Sequence, residues 1–461
     1  MLDEYRVDPA ALARGDGDPA QLAARLSSSS PDVRRAAVGA LAARCQTARS
    51  APAVLVPLLE PLLHDPLLRD EVVAALRRCG RAAARYAGFL GEVAAAAPEP
   101  ATRRRAVETL MLVGDPRWID PVIREGVALL PHALMPLTCP TEVRDAVRGR
   151  LAGLTGSDDA SRNAASVLCE IVARWGTDAA DAVPELLDAV PRAPQAATRA
   201  LLAAGHLAAP MVPALRAAAS RPGGLLAATA LFRLTGDPTP ALRALLTARP
   251  PVPPGVVALL GPLALPLVPE FELLLTGEAG ATLSQCAAQL LAAQVVIAAT
   301  GDTTAALPTL HAVLIAGGHR AVLAATVVAD LAGPVPDTDR PAAGPGADRG
   351  LGGRGWRGEM AVWVPELRTL LDDPWAGVAA AGALRRLGVP AAELVPVVVR
   401  AIEESRRTAA AVSLLRKLGA TAEAARLAAR DERLAVGGAD DDLVINDELL
   451  RDRLLAPATP A

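Results

Sequence analysis

The chain repeats itself at a step of about 34 residues, the range of stacked supersecondary units. From Arg35 the step reaches Arg69 and then Arg103; it also links Val38 to Val72 and Ala106, and Cys45 to Cys79 and Val113. A single unit of this size cannot bury its apolar face, so the period demands neighbours stacked side by side. A chain of 461 residues would ordinarily divide into about three domains, whereas an array of this kind grows by adding repeats. Hydrophobic residues make up 52% and aromatics only 2%, which leaves Ala, Leu and Val to build the core and suits close helix packing over sheets. The expected fold is all-α, a right-handed α-solenoid of about 11 or 12 helical hairpins.

The clearest unit is SPDVRRAAVGALA, Ser30 to Ala42. Ser30 is a good N-cap, Pro31 a good first helical residue, and Val33, Ala36, Ala37, Ala40 and Leu41 form one apolar stripe. Asp65-Pro66 opens a second copy that closes at Gly80, and Asp373-Pro374 opens a late one that closes at Gly388. Between these helices recurs an apolar residue followed by proline: Val56-Pro57, Val183-Pro184, Val212-Pro213, Val268-Pro269, Leu307-Pro308, Val364-Pro365 and Val395-Pro396. Each proline is expected in the first turn of a helix, where no amide donor is lost. Gly114-Asp115-Pro116 and Gly236-Asp237-Pro238 each give a helix stop followed at once by a start.

These motifs resemble the HEAT family, and more narrowly the bacterial HEAT-like repeats first named for phycobilisome lyases: Asp or Pro, then x-V-R-x-x-A-A-x-A-L, then a closing Gly. SPDVRRAAVGAL, HDPLLRDEVVAALRRCG, PTEVRDAVRGRLAGLTG and DDPWAGVAAAGALRRLG carry the likeness, the last without the arginine. The resemblance implies a fold more than an activity. The repeats are expected over 1–333 and 359–430; composition breaks the array at a Pro/Gly-rich flexible loop over 334–358 and at an acidic C-terminal cap or tail over 431–461, where Asp440, Asp441 and Asp442 precede LVINDELLRDRLL.

Several chemistries lack their residues. A P-loop needs Gly-Lys, and the single lysine, Lys417, follows Arg416. Gly350, Gly352 and Gly355 satisfy GxGxxG inside the loop stretch, with no expected strand before them. His64, His132, His206, His311 and His319 form no H-x-x-x-H, and the five cysteines form no C-x-x-C. No G-x-S-x-G occurs. No catalytic, cofactor-binding or metal-binding residue is therefore assigned, and no cofactor is expected; the chain is not expected to be an enzyme. The N-terminus MLDEYRVDPA has no apolar core of a signal peptide, which predicts a cytoplasmic protein. Uncharged stretches at Pro250–Pro269 and Ala279–Gly301 are interrupted by prolines or carry Gln285, Gln289 and Gln294, so buried helices are expected there and no membrane span.

The expected function is a protein-binding scaffold or regulatory adaptor that holds a partner along the concave face of the second helices. Arg34, Arg35, Arg69, Arg103, Arg104, Arg105, Arg144 and Arg162 fall near the starts of helices read as second helices. Stacking lines them along one ridge, which could track phosphates. In the HEAT family such arginines pair with acids of a neighbouring turn, and Asp32, Asp65, Glu99, Glu142 and Asp159 are placed for that. Net charge is -3, so no global positive field favours nucleic acid. Arg35, Arg69, Arg103 and Arg144 are candidate partner contacts, together with Trp356, which sits within the loop stretch close to Trp363 and Trp375. Resemblance also implies two alternatives: a bilin lyase or isomerase, and a nucleic-acid binder using the arginine rows. The charge-poor stretch from Val252 to Leu331 permits self-association.

Overall fold

The computed structural model describes residues 19–125, 140–156, 158–221, 224–248, 252, 256–275, 282–333, 357–404, 408–434 and 443–456. Trp356, Cys139, Asp440 to Asp442 and nearly all of the predicted loop lie outside them; Arg357 and Gly358 belong to a short helix, Arg357–Met360. Among the described residues the regular elements are helical, with one isolated antiparallel bridge between Ala48 and Glu432. The chain forms two compact units. Met1–Pro210 with Ala428–Asp452 make the first, and Met211–Leu427 with Arg453–Ala461 the second.

In the first unit lie helices α1 (Pro31–Thr47), α2 (Arg69–Arg78), α3 (Pro100–Val113), α4 (Thr141–Gly153), α5 (Asp159–Trp175) and α6 (Pro194–Ala203). The second holds α7 (Leu225–Thr235), α8 (Leu283–Thr300), α9 (Gly318–Ala332), α10 (Gly377–Arg386) and α11 (Thr408–Lys417). Helix α1 packs on α2, α2 on α3 and α5 on α6; in the second unit α8 packs on α9, α9 on α10 and α10 on α11. Each unit is thus an all-α solenoid of stacked hairpins. The 34-residue step, taken from the sequence spacing, reappears in the packing: Val38, Val72 and Ala106 are buried at equivalent places on α1, α2 and α3.

The predicted punctuation is visible in the backbone. Gly114 and Gly236 end α3 and α7 in the left-handed region, at φ 74° and 75°, which an L side chain resists. The carboxylates that follow accept backbone N–H bonds, Asp115 from Arg117 at 3.0 Å and Asp237 from Thr239 at 2.9 Å. Prolines 184, 213, 308 and 365 occupy first helical turns, as expected.

Some starts differ from the reading. Ser30 has the extended N-cap backbone but makes no side-chain cap bond. Helix α2 begins at Arg69 rather than at Asp65-Pro66, because Asp65 is spent on a tight turn, accepting from Leu67 N–H at 2.9 Å and from Arg34 at 2.9 Å. Pro396 lies inside the helix Ala391–Glu403, which starts after Pro390; its ring removes the donor that would have met the Ala392 carbonyl. Helix α4, expected in the row of second helices, packs against Val183–Ala189, one of the proline-started first helices. The neighbouring α5 takes the inner place, since it buries Val167, Leu168, Cys169, Ile171 and Val172, while α4 buries only Val143, Val147 and Leu151.

The two apolar stretches of the second unit pack on each other. Val256–Leu275 is broken by a 3-10 segment, Gly261–Leu267, and its Val256, Leu260, Ala264 and Phe271 share a core with Leu291, Ala292, Val295 and Val296 of α8. By length and composition alone both stretches reach the size of a membrane-crossing helix. Helix α8 starts in a capping box, Thr282 Oγ1 accepting from Gln285 N–H at 3.2 Å and Gln285 Oε1 from Thr282 N–H at 3.1 Å.

Candidate functional site

The predicted arginine row is a ladder of ion pairs. Arg34 donates to Asp65 at 2.9 Å, and Arg35 to Glu71 at 2.6 Å and Asp32 at 2.9 Å. Arg103 forms a two-point contact with Glu125 (2.9 and 3.2 Å) and also donates to the Ala97 and Pro98 carbonyls. Arg104 meets Glu108 at 3.0 Å, and Glu108 is shared with Arg77 at 2.7 Å. Arg144 reaches Asp181 at 3.4 Å and the Asp178 carbonyl at 3.1 Å, and Arg162 pairs with Asp159. Of the acids read as partners, Asp32, Asp65 and Asp159 serve; Glu71, Glu125 and Asp181 complete the ladder. Carboxylates one repeat away in space, not the nearest in sequence, neutralise most of the guanidinium groups.

Arg69 differs from Arg35, Arg103 and Arg144. It is half-buried beside a recess of ≈ 250 Å³ that is also lined by Leu67, Asp70, Glu71 and Glu99. Arg144 does not share a row with Arg162, because α4 and α5 are two arms of neighbouring rows. Four of the five predicted contact residues therefore lie among the described residues of the first unit, and the fifth, Trp356, lies outside the described residues.

The sequence reading missed where the C-terminal segment sits. Within the first unit, residues 428–434 and 443–452 pack beside the C-terminal ends of α1 and α2. The final helix, α12 (Leu443–Leu455), places Asp447 in the centre of this contact. Its carboxylate accepts from Arg49 Nη2 at 2.6 Å and Nε at 2.9 Å, from Arg433 Nη1 at 3.0 Å and from Leu434 N–H at 2.8 Å. The three side chains are only 1%, 8% and 4% exposed for Asp447, Arg49 and Arg433, a burial that a carboxylate tolerates only with such complete pairing. Arg49 also donates to the Ala428 and Arg430 carbonyls, and Arg433 to that of Cys45. Ser50 N–H donates to Asp431 at 2.8 Å.

One helical position on, Glu448 accepts from the Arg81 backbone N–H at 3.1 Å, and Asp452 pairs with the Arg81 guanidinium. Gly80 makes this approach possible: at φ +62°, a methyl on its Cα would stand 2.5–2.7 Å from Glu448 and Val444 atoms. Burial pushes the Glu448 carboxyl above its usual range, while the Arg81 amide and the nearby Arg433 and Arg81 charges pull it back. Leu449 packs on the buried Leu112 of α3.

The second unit presents a different surface. Leu263, Leu265, Leu273 and Leu274 are exposed along Gly261–Leu275, Leu273 at 73%. Ile315 is exposed as well, and Trp375 is half-exposed with His319 tilted against its ring at 4.3 Å. Trp363 by contrast is buried and meets His311 edge-on at 5.0 Å.

No protein-family model matches the chain, and no curated protein matches it. Solved structures similar to it include the crystal structure of an engineered protein, at 15% identity and TM-score 0.25 over 95% of this chain and 99% of that one. Another is a structure concerning a conserved phosphorylation switch that controls the interaction between cadherin and beta-catenin, at 16% identity and TM-score 0.29 over 99% of this chain and 98% of that one. At such scores the likeness adds nothing to the architecture, which rests on the helix pairing itself.

Proposed function

We propose that the protein is a non-enzymatic interaction scaffold or regulatory adaptor of the cytoplasm that binds a partner protein along its stacked helices. The observation that carries this reading is the exposed apolar surface of the second unit, Leu263, Leu265, Leu273 and Leu274, on a stretch from Val252 to Leu331 whose charges are only Glu270, Glu272, Glu278, Asp302, Arg320 and Asp330. Apolar surface of this kind is costly to leave in water and marks contact surfaces. Arg35, Arg69, Arg103 and Arg144, with Trp356, are the further candidate contacts. In the ladder, the first, third and fourth of these already satisfy internal acids, which favours a structural role for them over phosphate tracking and weighs against the nucleic-acid alternative.

The test is capture from the native cell with the tagged full chain, followed by mass spectrometry, comparing wild type with the double variant Leu265→Glu, Leu273→Glu. The variant is expected to fold as wild type and to lose at least one specific partner. An identical set of captured proteins would refute the assignment of this surface.

A further inference from the structure

The contact made by residues 428–434 and 443–452 has the composition of a recognition interface. On the side of the repeats stand two guanidinium groups, Arg49 and Arg81, the backbone N–H of Arg81 presented by the turn at Gly80, and the apolar side chain of Leu112. On the side of the helix stand three carboxylates at consecutive and one-turn spacing, Asp447, Glu448 and Asp452, with Val444 one turn before them and Leu449 among them. The partners are separated by 398 residues for Arg49 and Asp447 and by 371 for Arg81 and Asp452. Complementary surfaces join Arg49 and Arg81 to the helix, while Arg433 and the Leu434 N–H of the segment itself complete the partners of Asp447. A helix with acidic residues on its contact face is what these surfaces select, because charges specify register and partner more than they add affinity. A buried ion pair is also a weak source of net stability compared with an apolar contact of equal size, so the segment is held specifically without being locked.

We propose that this groove is a binding site for helices with an acidic contact face, that residues 428–434 and 443–452 occupy it at rest, and that a partner protein's helix with the same Asp-Glu-x-x-x-Asp spacing displaces them. The proposal rests on the protein-binding reading above and names the chemistry of the partner. The internal segment acts as a competitor at high effective concentration, so the site of the resting protein is masked and a ligand in trans binds weakly until the segment is released.

The experiment uses the full chain and a fluorescein-labelled peptide with the sequence of residues 428–456, followed by anisotropy at low and high salt. The groove is opened in two ways, by Asp447→Arg with Glu448→Arg, and more gently by Glu448→Lys with Asp452→Lys. Circular dichroism selects the variants that keep the wild-type helical signal; if the first fails to fold, the second carries the comparison. The opened protein is expected to bind the peptide about tenfold or more tightly than wild type. Adding Arg49→Glu and Arg81→Glu should abolish the gain, and raising the salt should weaken it. Folded, opened variants that bind the peptide no better than wild type would overturn the proposal, as would binding that ignores the two arginine changes. Light scattering decides the source of the helix. A dimer of wild type that is lost in Glu448→Lys, Asp452→Lys would seat a second copy in the groove and overturn the assignment to a partner, whereas a monomer at every concentration supports it. Peptide binding is read without any captured protein, so its failure is distinct from failure of the scaffold reading.

Discussion

The two units stack helices by the same rule and close their surfaces by opposite means. The first is laced with cross-repeat ion pairs, Arg34 with Asp65, Arg35 with Glu71 and Arg103 with Glu125, and it buries a carboxylate between two arginines. The middle of the second is held by Ala, Val and Leu, with Ala292, Val295 and Ala228 in one core, and it leaves leucines in solvent. Ion pairs specify which surfaces meet, whereas apolar area sets how strongly they adhere and is indifferent to the partner. The contacts of the first unit are accordingly selective, and the surface at the middle of the second, which also carries ion pairs such as Arg368–Glu393 and Arg426–Glu403 farther along, is adhesive.

The sharpest way to break this comparison is Asp447→Ala. It takes from Arg49 and Arg433 their shared carboxylate, so the contact of residues 443–452 with the first unit is expected to weaken by up to about 3–5 kcal/mol. Denaturant unfolding followed by tryptophan fluorescence checks it, with Trp118 and Trp175 reporting the first unit and Trp363 and Trp375 the second. A loss seen equally by the second unit's tryptophans would erase the distinction drawn here. In the second unit the corresponding probe is Ala292→Leu. Ala292 is wholly buried, and forcing extra methylenes into that core should cost about 1–3 kcal/mol, measured in the same way.

A third probe is pH. Burial pushes the Cys169 thiol of α5 up from 9.0 to about 12. The folded state therefore keeps a proton that the unfolded chain releases above pH 9. The contribution of this group is complete below pH 9 and is lost as pH rises toward 12, at about 1.4 kcal/mol per pH unit. Cys169→Ala should flatten the fall of stability above pH 9 by that slope, and an unchanged slope would mean that the thiol is not shielded. The smallest effect belongs to the exposed pair Arg400–Asp372, where Asp372 is 81% exposed; Arg400→Ala should change stability by less than about 0.5 kcal/mol.

The ladder was half legible. The arginines are conspicuous in sequence because the repeat step brings them back; of their acids, Asp32 and Asp159 stand three residues from their partners, and Asp65 is marked by the Asp-Pro that opens the next repeat. Glu71, Glu125 and Asp181 could not be matched from spacing, because each is chosen by the rise of one repeat over the next. The place of Arg144 differs from its motif for a related reason: α4 carries the repeat motif, but α5 has more apolar residues to bury and takes the inner place. Gly80 was read as a helix stop, which it is, at φ +62°; that its missing side chain also admits Glu448 required the fold.

Period, punctuation and a core of small apolar residues are properties of neighbouring positions, and the sequence by itself therefore determined that this chain forms stacked helical hairpins and where most of them turn. The seat of Asp447, an unremarkable acidic position on a charged helix until it meets Arg49 and Arg433, was decided only by the tertiary structure. Contacts between chain ends leave no periodic trace in the residues that make them, since they depend on where the intervening repeats deliver each surface.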